Sequence, residues 1–262
     1  MLIATAAIAV YLCATMFQVL QLRKHPNLRL MSLRLVAAIA IGLHGYVGME
    51  WVFTDHGLDF GLFPMSTAIS FTINLIVLVS SFRKPVHNLF LLLFPLAAII
   101  LATTILVGST GVPWKAISAP IGIHIFISIL AYSLMTIAAF QAILLALQNW
   151  RLRHKRLGNW LRVVPPLQTM EALLFEVLWA GFILLTLSLI TGFLFHEDFF
   201  AQHLVHKSVF SIFSWLFYAI LLWGRHVKGW RGNTAIRWTL TGFFAMVLAY
   251  WGSKFVIEVL LS

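Results

Sequence analysis

Two histidines lie inside long apolar runs of the chain, where ionisable side chains are costly to bury and are the first candidates for function. His44 is nine residues from the end of its run, which places it about 14 Å deep in a helix. Gly45 and Gly48 flank it, and small residues let another helix or a flat ligand come close. Two interpretations stay open. His44 binds a ligand, or it is a neutral histidine that donates to a carbonyl of a neighbouring helix.

The second histidine belongs to a polar stripe. His124, Ser128 and Tyr132 follow one another at intervals of four residues, so they share one face of a helix. Because the rest of this segment is apolar, we expect the stripe to point into a helix bundle, where polar groups find partners. The alternative is an interfacial histidine that is bonded to loop backbone.

A third group of histidines and carboxylates lies between two apolar runs, at His196, Glu197, Asp198, His203 and His206. The pair His203-x-x-His206 could chelate a metal ion if it were helical. The spacing matches no known zinc site, so the sequence favours solvated loop residues.

We predict that the remaining ionisable groups in apolar segments form ion pairs. Lys254 and Glu258 are four residues apart, as in a helical ion pair with a lysine that reaches toward the membrane surface. Glu171 and Glu176 follow a basic loop, and we expect them to pair with its arginines. A polar mouth at the cytoplasmic face is the alternative.

Several kinds of chemistry have no motif in this chain. It has no P-loop, no GxSxG, no HExxH and no cysteine cluster, and its single cysteine, Cys13, excludes an internal disulfide. What remains is a set of isolated histidines among 22 Phe and 10 Trp. That combination suits a flat, apolar, iron-bearing ligand that is held by imidazole.

The elements that must position these residues are membrane helices. The chain is 61% hydrophobic with a mean hydropathy of +0.95, which excludes an ordinary soluble domain. A helix needs about 20 apolar residues to cross a bilayer. The predicted spans are Leu2–Gln21, Leu35–Phe53, Met65–Phe82, Leu89–Val107, Pro120–Leu147, Glu171–Phe195, Ser208–Trp223 and Trp238–Leu261.

The cations predict the orientation of these spans. Of the 18 Lys and Arg residues, 15 lie in four alternating loops, and positive loops stay on the cytoplasmic side. We therefore expect an all-α integral membrane protein, residues 1–262 as one transmembrane domain, with eight helices and both termini outside. His124 would then lie near the outer face and His44 deeper. Anionic lipid explains the net charge of +10, and no nucleic-acid partner is expected.

Several motifs together carry a family resemblance. The fifth span reads Ala119-Pro-Ile-Gly-Ile-His-Ile-Phe-Ile-Ser-Ile-Leu-Ala-Tyr132, and the sixth ends Leu184-Leu-Thr-Leu-Ser-Leu-Ile-Thr-Gly192. Further motifs are Lys207-Ser-Val-Phe-Ser-Ile-Phe-Ser-Trp215, Gly229-Trp-Arg-Gly232 and Leu248-Ala-Tyr-Trp-Gly-Ser-Lys254. The chain thus resembles the membrane proteins of cytochrome c assembly called the CcsA group, in its YpjD and HemX branch. The match spans roughly the whole chain and is strongest from the fifth span onward.

The resemblance implies a haem-handling protein of the bacterial inner membrane, with haem b as cofactor. His124 matches the group's first outer histidine, and His44 matches a histidine typical of the YpjD branch. His124 would ligate the haem iron, with Ser128 and Tyr132 beside it, and His44 would be a second ligand or would serve a deeper transit position. The implied partners are the lipid bilayer, haem and a membrane protein of cytochrome c maturation.

The chain also departs from the synthetases of the group. Residues 196–206 hold no tryptophan where the synthetases carry a tryptophan-rich platform, and the second outer histidine would fall beyond Ser262. Leu62 and Trp223 stand at or near the positions of the two intramembrane histidines. We therefore expect haem binding or transport without full synthetase activity.

Two other hypotheses stay open beside that one. The first is a non-catalytic partner or regulatory subunit of a haem-biosynthetic enzyme or transport complex, in which the histidines are structural. The second is a transporter of a small ion or metal that uses the histidines of residues 196–206 and the Lys254/Glu258 pair. Missing internal repeats and missing rows of carboxylates count against the transporter.

Overall fold

The computed structural model describes residues 1–24, 30–55, 57–108, 117–155, 164–195 and 205–252. Within these ranges the protein is almost entirely α-helical, and it divides into two compact units. The first unit comprises Met1–Lys115 and Gln148–Pro166. The second comprises Ala116–Leu147 and Leu167–Ser262.

The first unit is built from four helices. These are α1 (Leu2–Lys24), α2 (Leu30–Val52), α3 (Leu62–Ser81) and α4 (Phe90–Val107). Helix α1 packs on α2 and α4, and α3 also packs on α2 and α4, so the four helices close a ring around a common core. A two-strand hairpin, β1 (Phe53–Thr54) and β2 (Gly57–Leu58), follows α2, and a short 3₁₀ turn (His87–Leu89) leads into α4.

Charge separates the two ends of this unit. All its carboxylates, Glu50, Asp55 and Asp59, lie at or after the end of α2. At that end Asp59 accepts the backbone N–H of Gly61 at 2.7 Å, just before α3 begins. The opposite end holds Arg34, near the start of α2, and the basic turn after α3. We call it the basic end of the first unit.

The second unit contains the longest helices. They are α5 (Ala119–Arg153), α6 (Leu167–Phe195), α7 (Val205–Lys228) and α8 (Asn233–Val247), followed by a π-helical turn (Leu248–Gly252). Helix α7 packs on α6, on α8 and on the π-helical turn. Close contact between α7 and α8 depends on Gly242, where an added Cβ would stand 2.9 Å from the ring of Tyr218.

The class predicted from composition is confirmed. Seven helical segments of the described chain are long and apolar enough to cross a membrane, and they match the first seven predicted spans. The seventh extends beyond Ser208–Trp223 at both ends, to Lys207–Lys228. Of the eighth predicted span, Trp238–Leu261, the structure describes the part up to Gly252. The single transmembrane domain stays a prediction.

Candidate functional site

His44 lies in the core of the first unit. Helix α2 directs its side chain against α1 and α3, and the residue is fully buried. The hydroxyl of Tyr11, also fully buried, lies 3.1 Å from His44 Nδ1. His44 Nε2 is buried and makes no hydrogen bond of normal geometry with a described residue, although the backbone of Thr67 is near enough to interact with the ring. Nδ1 of His44 is therefore hydrogen-bonded, and Nε2 is buried.

The pairing with Tyr11 decides where the imidazole proton sits. In the described part of the chain, the Tyr11 hydroxyl makes no hydrogen bond except the one to His44. Its proton is satisfied only if it is donated to Nδ1, because a phenol otherwise buries an unpaired donor. Neutral His44 then carries its own proton on Nε2. Binding a metal through Nε2 requires the opposite arrangement, in which Nδ1–H donates to the Tyr11 oxygen.

The glycine beside His44 admits a neighbouring helix. A Cβ added to Gly45 would stand 2.7 Å from the ring of Phe71 on α3, and the Phe71 ring meets the His44 ring at a centroid distance of 6.1 Å. Gly48 faces Thr67 in the same interface, at 3.6 Å. Of the two roles that the sequence left open for these glycines, the structure shows the approach of a helix.

His124 lies in the second unit and is half-buried. Its Nδ1 is 3.1 Å from Thr191 Oγ1 on α6. The Thr191 hydroxyl proton is directed to backbone carbonyls of its own helix, at 2.8 Å from Leu187 and 3.1 Å from Ser188. When the hydroxyl donates to those carbonyls, Thr191 Oγ1 accepts from His124 Nδ1–H. In that tautomer Nε2 is the unprotonated nitrogen, which is the form of the ring that binds a metal.

The rest of the stripe on α5 has partners within the second unit. Ser128 donates to the carbonyl of His124 at 2.7 Å and lies 2.7 Å from the hydroxyl of Ser188. One helical turn further along, the Tyr132 hydroxyl donates to the carbonyl of Met246 near the end of α8. The stripe therefore faces other helices of its unit, and Ser128 and Tyr132 hold the helix that carries His124.

The described residues contain no group of three His, Cys, Asp or Glu side chains that could hold a metal ion. The two histidines are thus single imidazoles, one in each unit. His196, Glu197, Asp198 and His203 lie outside the described residues, as do Lys254 and Glu258, and the side chain of His206 is not described.

Among the described residues, Glu171 binds Arg225 of α7, with 2.8 Å between Oε1 and the guanidinium. The pairing of Glu171 and Glu176 with arginines of the basic loop stays a prediction, because residues 156–163 lie outside the described residues. The second oxygen of Glu171 accepts the backbone N–H of Gly232 at 3.2 Å, and Arg225 also donates to the carbonyl of Trp230. Glu171 therefore fixes the connection between α7 and α8. Glu176, one turn later, is exposed.

Sequence reasoning missed the polar interior of the first unit. Helix α3 buries a row of polar side chains, namely Ser66, Thr67, Ser70, Asn74 and Ser81. Ser66, Ser70 and Asn74 repeat every four residues, so the same spacing test that found the stripe on α5 would have found this face. Tyr11 is different, because nothing in its local sequence indicates a partner 33 residues away.

Comparison with known proteins assigns the family. Residues 32–261 match the family model of the cytochrome C assembly protein, and the chain belongs to that family. It is 29% identical over 206 residues to the inner membrane protein YpjD of Escherichia coli, which covers 79% of this chain and 78% of the relative. It is 31% identical over 207 residues to an uncharacterized 28.8 kDa protein of Azospirillum brasilense, with 76% of each chain covered.

A shorter match reaches a protein with a stated role. The chain is 32% identical to the cytochrome c biogenesis protein CcsA of Prochlorococcus marinus over 91 residues, which are 34% of this chain and 29% of the relative. No solved structure matches this chain.

Proposed function

We propose that this member of the cytochrome c assembly family binds haem b in the bacterial inner membrane and handles it for cytochrome c biogenesis. The observation that carries the proposal is the hydrogen bond between His124 Nδ1 and Thr191 Oγ1. When Nδ1–H donates in this bond, Nε2 is the metal-binding nitrogen of a neutral imidazole. The names of the relatives agree with the location and the role, since one is an inner membrane protein and another acts in cytochrome c biogenesis.

Haem, when bound, would supply an iron that a neutral imidazole can ligate. His124 is the proposed ligand. Thr191 fixes the orientation of its ring, and Ser128 fixes its backbone through the carbonyl bond at 2.7 Å. Tyr132 ties α5 to the end of α8. These three residues hold the imidazole in place before haem binds. Less conformational entropy is then lost on binding.

We propose His44 as a second ligand or a deeper transit position for haem. Its Nε2 is buried and makes no hydrogen bond of normal geometry with a described residue, although the backbone of Thr67 lies close to the ring. Nε2 of His44 can bind iron when the imidazole proton lies on Nδ1 and Nδ1–H donates a hydrogen bond to the Tyr11 oxygen. Tyr11 can play either role because a phenol both donates and accepts. Iron binding by His44 therefore requires Tyr11 to change from donor to acceptor, whereas the bond with Thr191 already favours the metal-binding tautomer of His124.

The proposed topology has eight membrane spans and both termini outside. The eighth proposed span is Trp238–Leu261, of which the structure describes the part up to Gly252. The alternating basic loops then lie in the cytoplasm, His124 lies near the outer face, and His44 lies deeper. Because residues 196–206 contain no tryptophan, we propose haem transport or an assembly role in place of haem attachment.

The absorbance spectrum of the purified protein tests this function. We expect a Soret band as isolated or after haem is added to detergent-solubilised protein. His124→Ala should remove most of it, and His44→Ala should weaken it. His226→Ala is the matched control, since His226 is exposed near the end of α7. If no band appears before or after loading, haem is not the ligand. If the band survives the double replacement of His44 and His124, the ligand assignment is wrong.

A non-catalytic partner subunit is the second candidate, and the enclosure of His44 favours it. A histidine that is fully buried and paired with an equally buried tyrosine can serve packing alone. Affinity purification from membranes separates the two functions. A stoichiometric protein partner with no haem supports the subunit, and haem that co-purifies with the chain supports haem handling.

A further inference from the structure

Residues 228–232, here called the α7–α8 connection, carry exposed cations on a fixed backbone. Gly229 ends α7 with a φ of +63°, the left-handed conformation that glycine adopts most readily. The chain then turns back, so that the N–H of Trp230 donates to the carbonyl of Gly224 at 3.2 Å. Arg225 donates to the carbonyl of Trp230 at 3.2 Å. Both backbone polar groups of Trp230 are therefore held by hydrogen bonds.

Tryptophan rings position the lysine of this connection. Trp230 stacks on Trp238, with 5.6 Å between the ring centroids. Nζ of Lys228 lies 5.9 Å from the centroid of the Trp230 ring and 5.7 Å from that of the Trp223 ring. Both distances are within the range of a cation–π interaction. The ammonium group is thus held near two rings while Lys228 stays exposed.

The cations of the α7–α8 connection are not neutralised locally. Residues 199–257 contain no Asp or Glu, so α7 and α8 supply no carboxylate. Glu171 of α6 reaches the connection, but the Arg225 guanidinium and a backbone N–H already use its two oxygens. Lys228 and Arg231 are both exposed and form no ion pair within the part of the chain that the structure describes. These two cations are therefore accessible to an anion from outside the protein.

The connection lies where a membrane span meets the lipid headgroups. The seventh segment that is able to cross a membrane ends at Lys228, and Trp223, five residues earlier, is exposed. Tryptophans concentrate at the headgroup level, because the indole ring is apolar and its N–H is polar. At this level the nearest anions are the phosphates of lipid headgroups. They lie at the surface, so contact with Lys228 and Arg231 does not require a headgroup to enter the helix bundle.

We propose that the α7–α8 connection binds the phosphate of an anionic lipid headgroup. The Lys228 ammonium, held near the rings of Trp223 and Trp230, pairs with the phosphate. Arg231, three residues further along the same fixed turn, supplies a second cation whose guanidinium matches phosphate oxygens. The headgroup must carry a net negative charge, because the ammonium of a zwitterionic lipid already offsets its own phosphate. Phosphatidylglycerol meets this requirement, and phosphatidylcholine does not.

Native mass spectrometry of the purified full chain tests this site with the two lipids. Each cation near a membrane surface strengthens the binding of an anionic lipid about fivefold. Two cations therefore predict that phosphatidylglycerol is retained about 25-fold more tightly than phosphatidylcholine. The double variant Lys228→Gln with Arg231→Gln should lose most of this preference. The matched control is Arg83→Gln with Arg153→Gln, which removes the same charge from exposed residues elsewhere and should keep the preference.

A substitution that leaves the charge unchanged separates a built site from diffuse attraction. Trp223→Leu removes a ring that positions Lys228, and because Trp223 is exposed, the fold should be retained. The lysine side chain must then be ordered when the lipid binds. We expect phosphatidylglycerol to be retained about two- to tenfold less tightly, the cost of ordering one long side chain.

Each other outcome overturns part or all of the proposal. Equal retention of the two lipids by the unaltered protein refutes recognition of an anionic headgroup. An equal loss in both double variants shows attraction spread over the basic surface and refutes the site, and unchanged retention in Trp223→Leu refutes the role of the ring. If inorganic phosphate at millimolar concentration displaces phosphatidylglycerol, the site takes a free anion and the lipid assignment fails. None of these measurements involves haem, so the result is independent of the proposed function.

Discussion

Thr191→Val is the substitution that probes the candidate site most finely. It preserves the shape of the side chain and removes the oxygen that accepts from His124 Nδ1 at 3.1 Å. Without that acceptor, the proton is no longer held on Nδ1 and part of the neutral histidine carries it on Nε2, which cannot then bind iron. We expect haem affinity to fall while the fold is retained.

The magnitude follows from two ranges. Loss of a group that orients a metal-binding histidine costs about 10- to 100-fold in affinity, and a neutral hydrogen bond is worth about 0.5–1.5 kcal/mol net. His124 and Thr191 are both half-buried, and a bond of 3.1 Å is of ordinary length, so the lower end of the first range applies. We expect about a tenfold loss, or about 1.4 kcal/mol.

The assay is a haem titration of detergent-solubilised protein that is followed at the Soret band. Thr191→Ser keeps the hydroxyl and should retain the affinity of the unaltered protein. Thr103→Val is the control for losing a threonine bond within its own helix, because Thr103 donates to the carbonyl of Ile100 in the first unit. Unchanged affinity in Thr191→Val would refute the reasoning about the tautomer.

Three further predictions concern stability, read as melting temperature in detergent. Gly45→Ala forces a Cβ into the ring of Phe71 on α3 and should destabilise the protein by about 1–3 kcal/mol. Gly42→Ala is the control on the same helix, and it should stabilise the protein because nothing lies within 4 Å of its added Cβ and alanine favours the helix. Equal effects of the two substitutions would contradict the packing of α2 on α3. Tyr11→Phe keeps the ring and leaves His44 Nδ1 buried without a partner, at a cost of about 1–3 kcal/mol, so an unchanged melting temperature would show that the bond is absent. Arg225→Gln removes the ion pair with Glu171, whose two side chains are 35% (Arg225) and 11% (Glu171) exposed, and it should cost about 1 kcal/mol of stability. A loss of stability that is larger in high salt than in low salt would argue against an electrostatic cause.

How much the sequence predicts depends on whether the pattern is local. The spacing of His124, Ser128 and Tyr132 is a property of one helix, and the structure places all three against other helices of their unit. Hydropathy likewise predicts the long helices, because about 20 apolar residues suffice to cross a bilayer. The same spacing applied to α3 would have found its buried polar face.

Contacts between segments that lie far apart in the sequence do not follow from a local pattern. The bond between Glu171 and Arg225 joins residues 54 positions apart, because the packing of α6 on α7 brings the two together. The nearest cations in sequence lie in the basic loop before α6, so the sequence alone does not indicate Arg225. Tyr11 and His44 meet for the same kind of reason, through the packing of α1 on α2. No single-helix period encodes such contacts.

The most direct test of the central claim is ligand replacement at His124. His124→Gly removes the imidazole, and imidazole added to the solution can bind iron in its place. We predict that the Soret band of the haem-loaded protein is lost or shifted in His124→Gly and returns on addition of imidazole, while His226→Gly behaves as the unaltered protein. A spectrum that His124→Gly leaves unchanged would contradict haem ligation by His124.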